Sequence, residues 1–160
     1  TFIEPTQSIR SFGVKLKLSA TKSLIKNKKI ILIDDSLVRG TTCHKIIKML
    51  YDSGAKEVHA RIACPEIKYP DFYGVDMPTK KELLAHGRTN KEMCDYIKAK
   101  SLKFLSLSGL YKAIGYEKRN DTYPQLSDHY FTGEYPVKPH DQLGEGKIKQ
   151  LSLLSGKSTN

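Results

Sequence analysis

The segment Ile30-Ile31-Leu32-Ile33 narrows the possible folds more than any other: four consecutive apolar residues, entered from Lys28-Lys29 and left through Asp34-Asp35. An apolar run without alternation suits a strand buried on both faces of a parallel sheet, so a central strand is expected here. Beyond the following loop, Cys43, Ile46, Ile47 and Leu50 recur at helical spacing and Gly54 supplies a stop. That pattern predicts an amphipathic helix lying on the sheet. Val58 to Cys64 reads as a second strand ending at Pro65, which completes a strand, helix, strand unit with a right-handed crossover.

An ordered loop rich in Pro, Tyr and Asp is expected from Glu66 to Pro78. Thr79 to Ala85 reads as a helix ended by Gly87. Thr89 with Glu92 forms a capping box that opens another helix through Lys100, with Met93, Tyr96 and Ile97 facing inward. Lys103 to Leu107 reads as a third strand, and a short helix runs on to Ile114, stopped by Gly115. From Tyr116 onward Pro124, Pro136 and Pro139 break any period, so an extended tail is expected, fraying toward Asn160. The chain divides into a lead-in at 1–29, an α/β core at 30–115 and a tail at 116–160, within the size of one domain.

Composition narrows the function classes. No apolar run nears the ~20 residues of a membrane span, and the N-terminus lacks a signal-peptide pattern, so a soluble, cytoplasmic protein is expected. The sequon Asn120-Asp121-Thr122 is then idle. Cys43, Cys64 and Cys94 form no C-x-x-C pair, which suits a reducing compartment and buried structural roles. The formal charge of +10 is compatible with a phosphorylated or polyanionic partner. Its lysines, however, are spread without a basic and aromatic stripe, so nucleic acid is not the expected partner.

Asp34 and Asp35 fall at the C-terminal end of the first strand, where open α/β sheets bind ligands, and two adjacent carboxylates there suit two sugar hydroxyls. A solvated turn with one Asp capping the next helix is the ordinary role of such a pair seen alone. Here Ser36, Leu37, Val38, Arg39, Gly40, Thr41 and Thr42 follow, supplying hydroxyls, a glycine and successive backbone N–H groups just before a helix N-terminus. A nest of that kind, aided by the helix dipole, holds a phosphate. Carboxylates first and a phosphate cradle a few residues later match the two ends of a ribose 5-phosphate. His86 is weighed as a site residue against the commoner role of a cap in a last helical turn. Gly156-Lys157-Ser158 lacks the earlier glycine and the strand of a P-loop and is assigned to the tail.

The stretch from Ile31 to Thr42 resembles the phosphoribosyl pyrophosphate (PRPP) motif of type I phosphoribosyltransferases. Within that class, Thr1-Phe2-Ile3-Glu4-Pro5-Thr6-Gln7, Phe72-Tyr73-Gly74-Val75-Asp76-Met77-Pro78 and Glu82-Leu83-Leu84-Ala85-His86-Gly87 are similar to the amidophosphoribosyltransferase (glutamine PRPP amidotransferase) family. The resemblance runs from Thr1 to Pro136. It implies a partial type I phosphoribosyltransferase fold, truncated at its N-terminus: a Rossmann-like parallel sheet with flanking helices and an extended C-terminal tail. It also implies that Asp34 and Asp35 bind the ribose hydroxyls and Mg²⁺, and that Ser36, Val38, Arg39, Gly40, Thr41 and Thr42 belong to the PRPP site. Arg10, Lys15 and Lys17 fall in the family's flexible-loop region, as candidate loop or nucleotide contacts or as exposed charge.

The family makes 5-phosphoribosylamine from PRPP and glutamine-derived ammonia in purine synthesis. The resemblance places the glutaminase domain and the pyrophosphate loop outside this chain, which starts at Thr1 without an initiator Met, so competence alone is not expected. A separate chain could supply the missing domain and strands, and self-association is expected as in the family. Some members hold an iron–sulfur cluster through cysteines near the Phe-Tyr-Gly segment and before Phe-Thr-Gly. Here Asp71 precedes Phe72, and Pro124, Ser127 and Tyr130 lead into Phe131-Thr132-Gly133, so no cluster is expected. A second function class stays open: a non-catalytic PRPP or purine nucleotide sensor that uses the +10 charge to contact nucleic acid.

Overall fold

A computed structural model describes residues 20–74 and 79–137. In chain order they form α1 (Lys22–Ile25), β1 (Lys29–Asp34), α2 (Thr41–Asp52), β2 (Glu57–Ile62), a 3₁₀ turn (Lys80–Glu82), α3 (Asn90–Ile97), β3 (Ser101–Phe104), α4 (Leu107–Ala113) and α5 (His129–Thr132). The three strands make one parallel sheet in the order β1-β2-β3. Register pairs Ile30 with Val58, Leu32 with Ala60, and Ala60 in turn with Leu102. Those residues face the core, where they meet Cys43, Ile47 and Leu50 of α2 and Met93 and Ile97 of α3.

The helix on β1 forms where the 3.6-residue spacing put it. It ends through Ser53 and Gly54, the latter at φ 91°, with Ala55 N–H closing on Leu50 O at 3.1 Å. The Thr89 capping box is present: Thr89 Oγ1 accepts from Glu92 N–H, and the Glu92 carboxylate accepts from Thr89 N–H at 2.7 Å. Lys98, in the left-handed region at φ 59°, stops α3 earlier than Lys100.

Four expectations need correction. The Ile30 to Ile33 strand is not central among the described residues. It stands at one end of the sheet, with Ile31 and Ile33 at 65% and 74% exposure. The apolar run records a strand that is apolar on both faces, and only one of those faces is covered here. Thr79 to Ala85 is not one helix: the 3₁₀ turn Lys80–Glu82 gives way to an extended Leu83 and then to a turn from Leu84, whose N–H bonds Val38 O at 2.8 Å, and Leu83, Leu84 and Ala85 are all buried. Three successive buried side chains cannot share one helical stripe. Tyr96 does not face inward as expected, being 43% exposed. The third strand begins two residues before Lys103 and gives way to Ser106, whose hydroxyl caps α4 by accepting from Gly109 N–H at 3.0 Å.

The segment from Tyr116 to Val137 has little regular structure, yet it is anchored. Asp128 and His129 are buried, and Lys68 N–H donates to Tyr130 O at 2.9 Å, docking α5 on the loop after β2. The expected fraying toward Asn160, and Arg10, Lys15, Lys17 and Gly156-Lys157-Ser158, lie outside the described residues. Among the described residues, no helix is long and apolar enough to cross a membrane.

Candidate functional site

Asp34 ends β1, and the loop from Asp35 to Gly40 carries the chain from the sheet into the first turn of α2. The two carboxylates are held by their own neighbours. Asp34 Oδ1 accepts from Asp35 N–H at 3.0 Å, and Ser36 Oγ donates to Asp35 Oδ1 at 2.9 Å. Asp34 is half-buried and Asp35 exposed. Burial pushes the Asp34 carboxyl above its ordinary value; the negative charge of Asp35 adds to that, and the hydrogen bond from Asp35 N–H opposes it.

Leu37 is buried and pins the middle of the loop to the core. Gly40 is the N-cap of α2 in the left-handed region, at φ 75°. A Cβ there would lie 2.6 Å from Leu84 Cδ2 and 3.1 Å from Tyr96 Cε1, so both the backbone conformation and the packing require glycine. Among the described residues, the backbone N–H groups of Val38 through Cys43 have no backbone acceptor. They are the free donors that a helix N-terminus presents to an anion. The expected residues Asp34, Asp35, Ser36, Val38, Arg39, Gly40, Thr41 and Thr42 are thus one continuous turn at the C-terminal edge of the sheet.

Sequence reading missed what braces this turn from outside. Leu84 bonds Val38 and fills the space over Gly40, and Tyr96 packs beside it while its carbonyl meets His44 Nδ1 at 2.9 Å. Glu82 accepts from Arg39 Nε at 3.3 Å. The only hint in the sequence was the apolar triplet Leu83-Leu84-Ala85. His86 is exposed and belongs to no helix, so a cap role in a last helical turn does not apply to it. The thiols beneath the loop are held in the protonated, unreactive form. Burial, with the charge of Asp34 adding, pushes Cys43 up to about 12, and burial pushes Cys64 up to about 11.

A second charged assembly lies at the far end of the chain. Asp128 accepts from Tyr111 Oη at 2.8 Å and from Arg119 Nε at 2.6 Å, and Arg119 also reaches Glu134 and Asp121. His129 Nε2 meets Asp71 Oδ1 at 2.8 Å, with both side chains buried. This pair joins the two segments that the family resemblance associates with cluster cysteines.

A parallel sheet with flanking helices and a carboxylate-led turn into a helix N-terminus match the type I phosphoribosyltransferase fold. The likeness extends to solved structures: a B. subtilis glutamine PRPP amidotransferase complexed with ADP and GMP matches with a TM-score of 0.70 and 43% identity over 85% of this chain and 30% of that one. A structure described as the allosteric regulatory enzyme of purine biosynthesis matches equally, with a TM-score of 0.70.

By sequence the chain is similar to amidophosphoribosyltransferases. It is 54% identical to the amidophosphoribosyltransferase of Rhizobium etli over 156 residues, 97% of this chain. It is 50% identical to that of Staphylococcus aureus over 141 residues, 88% of this chain. The chain spans 32% and 28% of the length of those relatives. No family model matches it.

Proposed function

We propose that the turn from Asp34 to Thr42 binds Mg²⁺ and PRPP, as the ribose-phosphate site of an amidophosphoribosyltransferase. The observation that carries this reading is one turn that offers two carboxylates at a strand end and free N–H groups at a helix start. Asp34 and Asp35 would take the ribose hydroxyls, while the backbone and hydroxyls of Ser36 and Val38 to Thr42 would take the 5-phosphate.

Two carboxylates fit Mg²⁺, which keeps several waters and commonly shares its shell with substrate phosphates. Among the described residues no cluster of three His, Cys, Asp or Glu makes a protein-only metal site, which suits a cation that arrives with the pyrophosphate. When bound, Mg²⁺ supplies charge to the leaving pyrophosphate. In the reaction, the ammonia nitrogen bonds to ribose carbon 1 as that carbon's bond to pyrophosphate oxygen breaks, and loss of one proton from the new ammonium yields 5-phosphoribosylamine and pyrophosphate. Asp34 and Asp35 would stabilise the positive character that develops on the ribose.

Complete glutamine-dependent turnover needs the rest of the relatives' length, in the same chain or a partner. A purine nucleotide is a second ligand for the same turn, since the B. subtilis neighbour is described as a complex with ADP and GMP and nucleotides share the ribose 5-phosphate. Arg10, Lys15 and Lys17 are candidate contacts to either ligand.

Calorimetric titration with PRPP tests the reading. Binding in MgCl₂ that disappears in EDTA is expected, with inorganic phosphate competing weakly. A folded chain that binds PRPP equally in both buffers, or not at all, would contradict it.

A further inference from the structure

Arg39 lies inside the proposed phosphate turn, and its only partner among the described residues is Glu82, 43 positions away, through Nε at 3.3 Å. We propose that Glu82 is a positioning residue for that turn. It holds the Arg39 guanidinium by one edge and keeps the two Nη groups available to the 5-phosphate of PRPP. The inference rests on the reading of 34–42 as the PRPP turn.

Glu82 is itself fixed. Its Oε2 accepts from both the N–H and the hydroxyl of Thr79 at 3.3 Å, which leaves Oε1 for Arg39. Burial would raise the Glu82 carboxyl, but the charge and hydrogen bond of Arg39, with the hydrogen bonds of Thr79, outweigh it and hold it below the ordinary carboxylate value. The segment carrying Glu82 is docked on the turn two residues later, where Leu84 N–H bonds Val38 O at 2.8 Å and Leu84 covers Gly40. A carboxylate fixed relative to the turn can therefore set where the guanidinium sits.

Without it, Arg39 would have Asp34 and Asp35 as nearby alternatives in sequence, and pairing there would occupy the carboxylates that the ribose and Mg²⁺ require. Arginine is suited to such sharing, because its planar fork presents five donors in fixed directions. The Thr79 bonds of Glu82 are the capping box of the 3₁₀ turn; exposed ion pairs add little stability, so it is the Arg39 contact that stability alone does not account for.

Mg²⁺ and PRPP are titrated into the full chain as wild type, Glu82→Gln, Arg39→Met, the Glu82→Gln, Arg39→Met double variant and an Asp34→Ala, Asp35→Ala variant, with melting curves for each. Glu82→Gln should weaken PRPP about tenfold, the scale of one charge-assisted hydrogen bond. Arg39→Met should weaken it at least as much. In the Arg39→Met background Glu82→Gln should change nothing further, with melting temperatures alike. Wild-type binding that the Asp34, Asp35 variant loses, but that Glu82→Gln leaves intact or lowers additively with Arg39→Met, overturns the role of Glu82 alone. A folded wild type that binds no PRPP overturns both readings.

Discussion

Among the described residues, two charged assemblies are of opposite construction. The turn after β1 places Asp34 and Asp35 at the surface, bonded mainly to immediate neighbours, with free N–H groups beside them. The knot around Asp128 lies in the interior, where Tyr111 and Arg119 satisfy the carboxylate and a buried Asp71–His129 pair sits alongside. In the knot, burial alone would raise the Asp128 carboxyl. The hydrogen bonds from Arg119 and Tyr111 outweigh that and hold it below its ordinary value. The Asp128 carboxylate, satisfied by the protein, has nothing left for a ligand, although His129 Nδ1 beside it is buried without a partner among the described residues, whereas the donors left unsatisfied in the surface turn are available for one. The knot is therefore assigned to stability, and the turn is where binding is proposed.

The largest effect expected is from Asp128→Ala. It leaves Arg119, whose side chain is 13% exposed, without its main partner. Breaking a buried pair from one side costs about 3–5 kcal/mol, which urea denaturation would read as a lower midpoint. Gly40→Ala comes next. The left-handed φ and the contact with Leu84 together should cost about 1–3 kcal/mol, with PRPP affinity falling alongside because the turn itself shifts. An unchanged melting curve for Gly40→Ala would show that the turn is not braced as described.

Acid should separate the two assemblies. The Asp34 carboxyl lies above its ordinary value, so it takes up a proton before an ordinary carboxylate does as pH falls, and Mg²⁺-dependent binding should fade as it does so. Asp128 runs the other way. Its folded value is depressed, so its contribution to stability is complete above the ordinary carboxylate value and is lost only as pH falls through the lower folded one. Binding should therefore vanish while the far-ultraviolet circular dichroism is still native. Simultaneous loss would mean that the two assemblies are not independent. The smallest effect is expected at Lys48→Ala, which removes an exposed pair with Asp52 at 2.7 Å. It should change stability by no more than about 0.5 kcal/mol in the same urea assay.

The contrast also explains what the sequence disclosed. The turn is a contiguous stretch whose strand, carboxylates, glycine and helix start each leave a local mark, so Asp34 to Thr42 could be read as one unit. Its braces could not: Glu82 and Leu84 reach it from more than forty positions away, and Leu83-Leu84-Ala85 carries the same letters in a helix as in a buried turn. The knot was less legible still, since Asp71 and His129 are 58 residues apart and each looks like an ordinary loop residue. Ile30 to Ile33 announced a strand apolar on both faces but could not say which neighbours would cover it.

The most direct test of the division between binding and stability is an Asp34→Asn, Asp35→Asn variant, measured for Mg²⁺-dependent PRPP affinity and for melting temperature on the same preparation. PRPP binding should be lost while the melting temperature stays at or slightly above that of the wild type, because a half-buried carboxylate is removed. Retained affinity, or a fall in stability comparable to that of Asp128→Ala, would contradict the assignment of the turn to binding.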